Sequence, residues 1–141
     1  MTRDEFLEMI ENDDIDFVIT SPPYLNNWEY SWITRIELFF MNYVASIKDV
    51  TQKIRPNMIL ASTFSLSGYD RDKLKSRLKD TKIKKHIEDL YKKIADNRSK
   101  KGANYQYELV MVEYFNGIES NLSELFRTMK TGAHCLSVVG I

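Results

Sequence analysis

Two apolar runs, one near each end of the chain, have the hydrophobic pattern of β-strands. The first covers residues 15–20 and is interrupted by Asp16, and the second covers residues 133–141. Both runs are short and contain β-branched side chains, which is typical of strands in the interior of a protein. We therefore predict a buried strand at each of these positions.

Apolar residues at three- and four-residue steps predict helices in several other segments. A short helix is expected over residues 4–11, and another begins near residue 28 or 29. The apolar stripe of this second helix is expected to pack in the core: Trp32, Ile36, Phe39, Phe40 and Tyr43. Pro56 should end a helix over residues 46–54. Residues 58–64 predict either a short strand or a buried loop.

Two longer helical segments follow. The first covers residues 70–97, with a break near residues 80–81, and the second covers residues 103–130. Gly132 is expected at the left-handed position that ends the second helix. The expected buried sides are Leu74, Leu78, Ile83, Ile87, Leu90 and Ile94 in the first, and Tyr107, Val110, Met111, Tyr114, Ile118, Leu122, Leu125 and Met129 in the second.

Composition indicates one globular domain with uneven charge. The chain has 141 residues, is 43% hydrophobic and has a formal net charge of zero. Residues 71–101 contain thirteen Lys or Arg against five Asp or Glu, so this segment is either a nucleic-acid-binding face or a solvated helix surface. No apolar run approaches the roughly 18 residues of a membrane span, and no signal peptide is recognisable. We expect a cytoplasmic protein.

The candidate chemistry lies directly after the first strand, where the chain reads Ser21, Pro22, Pro23 and Tyr24. Each proline fixes its own φ, lacks an N–H and holds the preceding residue extended. In α/β sheets, ligands bind outside the carboxyl ends of the strands. A hydroxyl, two rigid carbonyls and a phenol ring at that position predict a small polar pocket. The alternative is an ordinary turn after a strand.

Residues 16–24 resemble the catalytic motif of the amino-group DNA methyltransferases, which methylate cytosine N4 or adenine N6. The first motif position in that family is Asp, Asn or Ser, and Ser preceded by Thr is commonest among the cytosine-N4 enzymes. The resemblance implies S-adenosylmethionine as methyl donor, DNA as substrate and a role in restriction-modification. It also implies that the Ser21 hydroxyl and the Pro22 carbonyl accept the hydrogens of the target amine, while Tyr24 stacks on the base.

Residues 125–140 resemble a later motif of the same family, in which a helix ends at a glycine-rich turn before the strand beside the catalytic one. Met129, Thr131 and Ala133 depart from the family's leucine, proline and second glycine. The resemblance implies an α/β chain with a partial Rossmann-like methyltransferase fold. Residues 1–141 would form a single partial catalytic region with a helical insertion at about 69–101.

The cofactor half of such an enzyme is not recognisable. The five glycines, at 68, 102, 117, 132 and 140, include no G-x-G spacing, so no cofactor-binding residue can be assigned. The chain resembles a piece of an enzyme and should be inactive alone. Because parallel strands need cover on both faces, we expect it to pair with a second copy or with a chain that supplies the cofactor half.

Further candidates are less specific. Arg35 either shapes the pocket or forms a surface ion pair with Glu37, and Lys84 and Lys85 are candidate DNA contacts together with Tyr24. His86 and His134 show no metal-ligand pattern. Cys135 is expected in the core, which makes cytosine-C5 chemistry improbable. Two alternatives to cytosine-N4 methylation stay open: adenine-N6 methylation, and a non-catalytic remnant that binds nucleic acid or dimerises.

Overall fold

A computed structural model describes residues 9–63, 81–102 and 105–139. Its elements in chain order are β1 (Ile15–Thr20), α1 (Tyr30–Ile33), α2 (Arg35–Phe40), α3 (Ile47–Asp49), a π-helical turn (Val50–Ile54), a 3-10 turn (Arg55–Asn57), α4 (Thr81–Lys101), α5 (Tyr107–Thr128) and β2 (Met129–Ser137). The chain is therefore a mixed α/β structure. Most of the helix expected over residues 4–11, and residues 69–80 of the expected insertion, lie outside the described residues.

The two strands pair in parallel, which confirms β1 and the expected adjacency, whereas β2 begins at Met129, four residues before the predicted start. Phe17 pairs with His134 and Thr20 with Ser137, but Ile15 pairs with Met129. The register therefore shifts near the start of the ladder, where residues 130–133 of β2 form a bulge. Gly132 has a φ of +85° within this bulge, a conformation that residues with a side chain rarely adopt.

The end of α5 differs from the prediction. The helix stops at Thr128, so Gly132 is not its cap, although its left-handed φ is as expected. The amides of Asp13 and Asp14, in the turn before β1, donate to the carbonyls of Arg127 and Thr128 at 3.3 and 2.9 Å. The last carbonyls of α5, which a local cap would have satisfied, are thus paired with the turn before β1. Strand β2 then begins at the next residue, Met129.

Helices α4 and α5 form an antiparallel pair. Ile87 is buried against Met111 and Val112, and Leu90, Tyr91, Ile94 and Phe115 pack around them. Near the other end of the pair, the Arg98 guanidinium binds the buried Glu108 carboxylate at 2.8 Å. Full burial of a side chain such as Met111 or Ile87 stabilises by about 1.5–3 kcal/mol, so this cluster is a main source of stability. Leu74 and Leu78 lie outside the described residues.

Residues 58–62 form a buried loop, one of the two predicted alternatives. Leu60, Ala61 and Ser62 are at most 6% exposed. The loop passes close to α5 at Gly117, where a Cβ would lie 3.0 Å from Cγ2 of Ile59. A side chain at position 117 would therefore crowd Ile59, a constraint that the position of Gly117 in a helical pattern did not reveal.

Beyond Ile83, Tyr107 and Leu122 of the paired helices, which were expected on buried sides but are 52%, 37% and 54% exposed, the prediction of buried apolar faces was wrong in two places. The stripe of α1 and α2 does not pack in a core, since Trp32, Ile36, Phe40 and Tyr43 are 47–86% exposed. The strands are not buried either: Phe17, Ile19 and Leu136 are each more than half exposed. Cys135, expected in the core, is an exposed free thiol. The physical reason is the same in each case, because the described residues provide no layer that covers the two-stranded sheet or the short helices.

Two negative findings apply to the described ranges. None of their helices combines the length and apolar character that crossing a bilayer requires. They also contain no group of three or more His, Cys, Asp or Glu side chains arranged to hold a metal ion.

Candidate functional site

The predicted catalytic residues lie in the loop that leaves the carboxyl end of β1. The hydrogen-bond ladder continues to this point, because the Val138 amide donates to the Thr20 carbonyl at 2.9 Å. Ser21 is the first residue beyond the strand, and its side chain is exposed. The motif therefore begins where the two parallel strands end, which is the edge of an α/β sheet where ligands bind.

The Ser21 hydroxyl has a defined role in this geometry. It donates a long hydrogen bond of 3.4 Å to the Val138 carbonyl, on the neighbouring chain segment. A hydroxyl has one proton to donate and two lone pairs that can accept. With its proton directed toward Val138, the Ser21 oxygen presents its lone pairs to an incoming donor such as an amine.

The remaining motif residues continue away from the sheet. Pro22, Pro23 and Tyr24 are half-buried, and the Tyr24 carbonyl accepts from the Asn27 amide at 3.3 Å. Within the described residues, no donor is hydrogen-bonded to the Pro22 carbonyl. Among the described residues, the Pro22 carbonyl is therefore left with no hydrogen-bond donor, and the Ser21 oxygen keeps its lone pairs.

A second connection holds the far side of the loop. The Asn26 amide donates to the Ala61 carbonyl at 2.6 Å, and Asn26 has a left-handed φ of +58°. Asparagine tolerates this conformation better than most residues with a side chain. Because Ala61 belongs to the buried loop of residues 58–62, the motif loop is attached to β2 at one end and to this loop at the other.

An ion pair that the sequence interpretation missed lies beside the motif. The Arg55 guanidinium donates to both carboxylate oxygens of Glu29, from Nε at 3.3 Å and from Nη2 at 3.0 Å. The side chains are 14% and 9% exposed, and the buried Ser31 hydroxyl also donates to Glu29. These two charged residues, together with Pro23 and residues 58–61, line one small cavity. Their separation of 26 positions gives no periodic signal, so no sequence pattern would have indicated the pair.

The other candidate residues are not joined to the motif. Arg35 lies in α2, with its guanidinium carbon 4.3 Å from the centre of the Trp32 ring and an Nη1 hydrogen bond to the Trp32 carbonyl. Lys84 and Lys85 lie on α4, the helix that packs against α5. In the described part of the chain, no hydrogen bond or ion pair connects any of these three residues to residues 21–24.

Two ionic contacts hold the start of the sheet. Lys130 Nζ lies 2.9 Å from both carboxylate oxygens of Asp16, across the bulge. Arg127 donates to Glu124 at 2.9 Å, to the Ile10 carbonyl at 3.1 Å and to Asn12 Oδ1 at 2.8 Å. The Asp16 pair is largely exposed and contributes about 0–1 kcal/mol. The three-way contact of Arg127 fixes the turn that precedes β1.

Comparisons with models of protein families, with curated proteins and with solved structures gave no match to this chain. The resemblance to the amino-group methyltransferases therefore depends on the motif residues of the sequence alone.

Proposed function

We propose that this chain carries the amine-binding part of a DNA methyltransferase that acts on the exocyclic amino group of a base, with cytosine N4 as the target. The observation that carries the proposal is the placement of Ser21. Its hydroxyl stands at the carboxyl end of a parallel strand and donates its proton to Val138 at 3.4 Å, which leaves its lone pairs for an amine.

The chemistry of the target explains why acceptors are needed. The nitrogen lone pair of an exocyclic amine is delocalised into the base, which makes the amine a weak nucleophile. Two acceptors that hold its hydrogens rotate the lone pair out of conjugation and stabilise the positive charge that develops on nitrogen. The Ser21 oxygen and the Pro22 carbonyl would be these acceptors. Two prolines hold the carbonyl in position before the substrate arrives.

Tyr24 has the role of a stacking surface in this proposal. A base must leave the duplex before its amine can reach the end of a sheet, and a flipped base is held by stacking on aromatic side chains. Such a contact is worth about 1–3 kcal/mol per base. Tyr24 is half-buried, so part of its surface remains accessible to a base.

S-adenosylmethionine, the methyl donor implied by the resemblance, has no recognisable binding motif in this sequence. No two glycines have the G-x-G spacing of a cofactor turn, and the loop after β1 contains two prolines in its place. We propose that β1 and β2 are neighbouring strands of a larger Rossmann-like sheet. A second chain would supply the cofactor half, and the exposed apolar side chains of both strands would face the elements it adds.

A second candidate function is favoured by α4. Its residues 81–101 include eight Lys or Arg against three Asp or Glu, and Lys85 is exposed. A non-catalytic module could use this helix to bind the phosphates of a nucleic acid. Reversal of the charges of Lys84 and Lys85 would then weaken DNA binding and reduce its dependence on salt, while Ser21→Ala and Tyr24→Ala would leave DNA binding intact.

The proposed function is tested by mass spectrometry of nucleosides from DNA incubated with S-adenosylmethionine and the chain, alone and with its partner chain. We expect N4-methylcytosine with the partner and none with Ser21→Ala in the same complex. N6-methyladenine would reassign the target base and leave the role of residues 21–24 in place. Transfer that is unaffected by Ser21→Ala would contradict the proposal.

A further inference from the structure

The Glu29–Arg55 ion pair has the geometry of a rigid clamp. Both carboxylate oxygens are engaged by one guanidinium, and the Ser31 hydroxyl adds a third donor to Glu29. Bidentate pairs of this kind fix the relative orientation of two groups as well as their distance. With side chains only 9% and 14% exposed, the pair is weakly screened by solvent.

The clamp joins the two chain segments that contact the motif loop. Glu29 is the residue before α1, and its carbonyl accepts from the amides of Trp32 and Ile33 at 3.1 and 3.2 Å. Arg55 begins the 3-10 turn that leads into residues 58–62. Ala61, in that segment, holds the Asn26 amide at 2.6 Å. The ion pair therefore closes a loop of contacts around the cavity that Pro23 also lines.

Rigidity in the motif transmits the effect of this clamp. The loop is held at its start by the bond from the Val138 amide to the Thr20 carbonyl and at its end by Asn26. Between them, Pro22 and Pro23 have fixed φ angles and remove much of the freedom that would absorb a displacement. A shift of Asn26 or Glu29 must consequently move Tyr24 and the Pro22 carbonyl.

We propose that Arg55 and Glu29 are positioning residues that set the location of Pro22 and Tyr24 relative to Ser21. The part of this inference that concerns catalysis depends on the proposed function, whereas the control of the loop does not. Arg55 does not touch the base or the methyl donor in this scheme. It acts through Glu29, the buried loop and Asn26, so its loss displaces an acceptor and a stacking surface and removes neither.

The test measures native-state hydrogen exchange of the full chain by NMR. In Arg55→Gln, we expect the protection of the Asn26 amide to fall about tenfold more than that of Val110, a buried residue of α5. Arg98→Gln is the matched control, because it breaks another ion pair with a buried glutamate, Glu108, on the paired helices. In that variant, the Asn26 amide should lose no more protection than Val110.

Ser31→Ala keeps both charges and removes one donor to Glu29. If Arg55→Gln does not fold, the protection of the Asn26 amide is measured in Ser31→Ala instead. A smaller loss of protection at Asn26 is expected for it. Equal changes at Asn26 and Val110 in the folded variants would overturn the inference. In a complex that transfers methyl groups, Arg55→Gln should lower kcat about 10–100-fold with little change in the KM for DNA. If the wild-type complex transfers no methyl groups, the proposed function fails. The hydrogen-exchange data still decide whether the Glu29–Arg55 pair controls the loop.

Discussion

The Ser21 hydroxyl donates to the Val138 carbonyl at 3.4 Å, and these two residues are the first beyond the ends of β1 and β2. Directly before them, Thr20 and Ser137 are the last residues paired in the ladder. The loop with the candidate chemistry is thus aligned by the strand that follows α5, more than one hundred positions later in the chain. This long-range contact gives the hydroxyl proton an acceptor within the protein, and in the proposed function it leaves the oxygen lone pairs for the amine.

Replacement of Ser21 tests this orientation. Ser21→Ala removes one acceptor from the proposed amine site and should lower kcat about 100–1,000-fold in the complete enzyme, the range found when one preorganised hydrogen bond to a transition state is lost. Ser21→Thr retains the hydroxyl and should keep most of the activity. Because Ser21 is exposed, the free energy of unfolding should change by less than about 0.5 kcal/mol in either variant. Equal activity of the two variants would exclude Ser21 as an acceptor.

Isothermal titration of the chain with S-adenosylmethionine tests whether a cofactor site is present. Without a glycine-rich turn, we expect no binding tighter than about 1 mM, or about −4 kcal/mol. Addition of the partner chain should produce measurable affinity. Micromolar binding by the isolated chain would show that a cofactor site exists without the expected motif.

The exposed sheet predicts association. Ile19 and Leu136 are 68% and 53% exposed on paired parallel strands, which are normally covered on both faces. Sedimentation velocity should therefore detect a dimer or a complex with a second chain, and Leu136→Lys should weaken it. Leu122→Lys is the matched control, since Leu122 is a leucine of similar exposure, 54%, on α5. A monodisperse monomer at all concentrations, with no partner bound, would count against the prediction.

Gly117 and Ile59 should be energetically coupled. In a helix interior, alanine is more stable than glycine by about 1 kcal/mol. A Cβ at position 117, however, would lie 3.0 Å from Ile59 Cγ2. We expect Gly117→Ala to gain little or to destabilise wild type, and to stabilise Ile59→Ala by up to about 1 kcal/mol. Urea denaturation of the four proteins in a double-mutant cycle measures the coupling. Additive effects would show that Ile59 moves away without cost.

We expect the turn around Asp49 to lose stability in acid. Hydrogen bonds from Lys53, Ser46 and the Ala45 amide lower the pKa of the Asp49 carboxyl from 3.8 to about 2. A depressed pKa in the folded state means that the charged carboxylate stabilises the turn above about pH 4. That stabilisation is lost as the pH falls through about 2. NMR titration of the carboxyl carbon should give the lowered value in wild type and a higher one in Lys53→Gln. A pKa near 3.8 in both proteins would refute the contribution of Lys53.

Local features of the sequence were sufficient to predict much of the secondary structure. The apolar runs predict β1 and β2, Pro56 lies at the end of the 46–54 helical segment as expected, and the apolar steps predict α4 and α5. Each of these features depends on residues within a few positions of one another, so a linear pattern contains the information.

The features that a linear pattern cannot contain depend on segments that meet in space. Gly132 was expected to cap α5, but amides of the turn before β1 pair with the last carbonyls of that helix. Glu29 and Arg55, with Ser31, form a buried network across 26 positions with no repeat to reveal it. Apolar periodicity likewise shows that a face avoids water and does not identify what covers it.

By itself, the sequence determined the strand that precedes Ser21, the rigidity that Pro22 and Pro23 impose, and the type of chemistry that residues 21–24 could support. The tertiary structure decided the register of β2 against β1, the direction of the Ser21 proton toward Val138, and the pairing of Arg55 with Glu29. The physical reason is the range of the forces involved. Backbone conformation is set by neighbouring residues, whereas the direction of a hydroxyl and the partner of a buried charge are set by groups that the folded chain brings together.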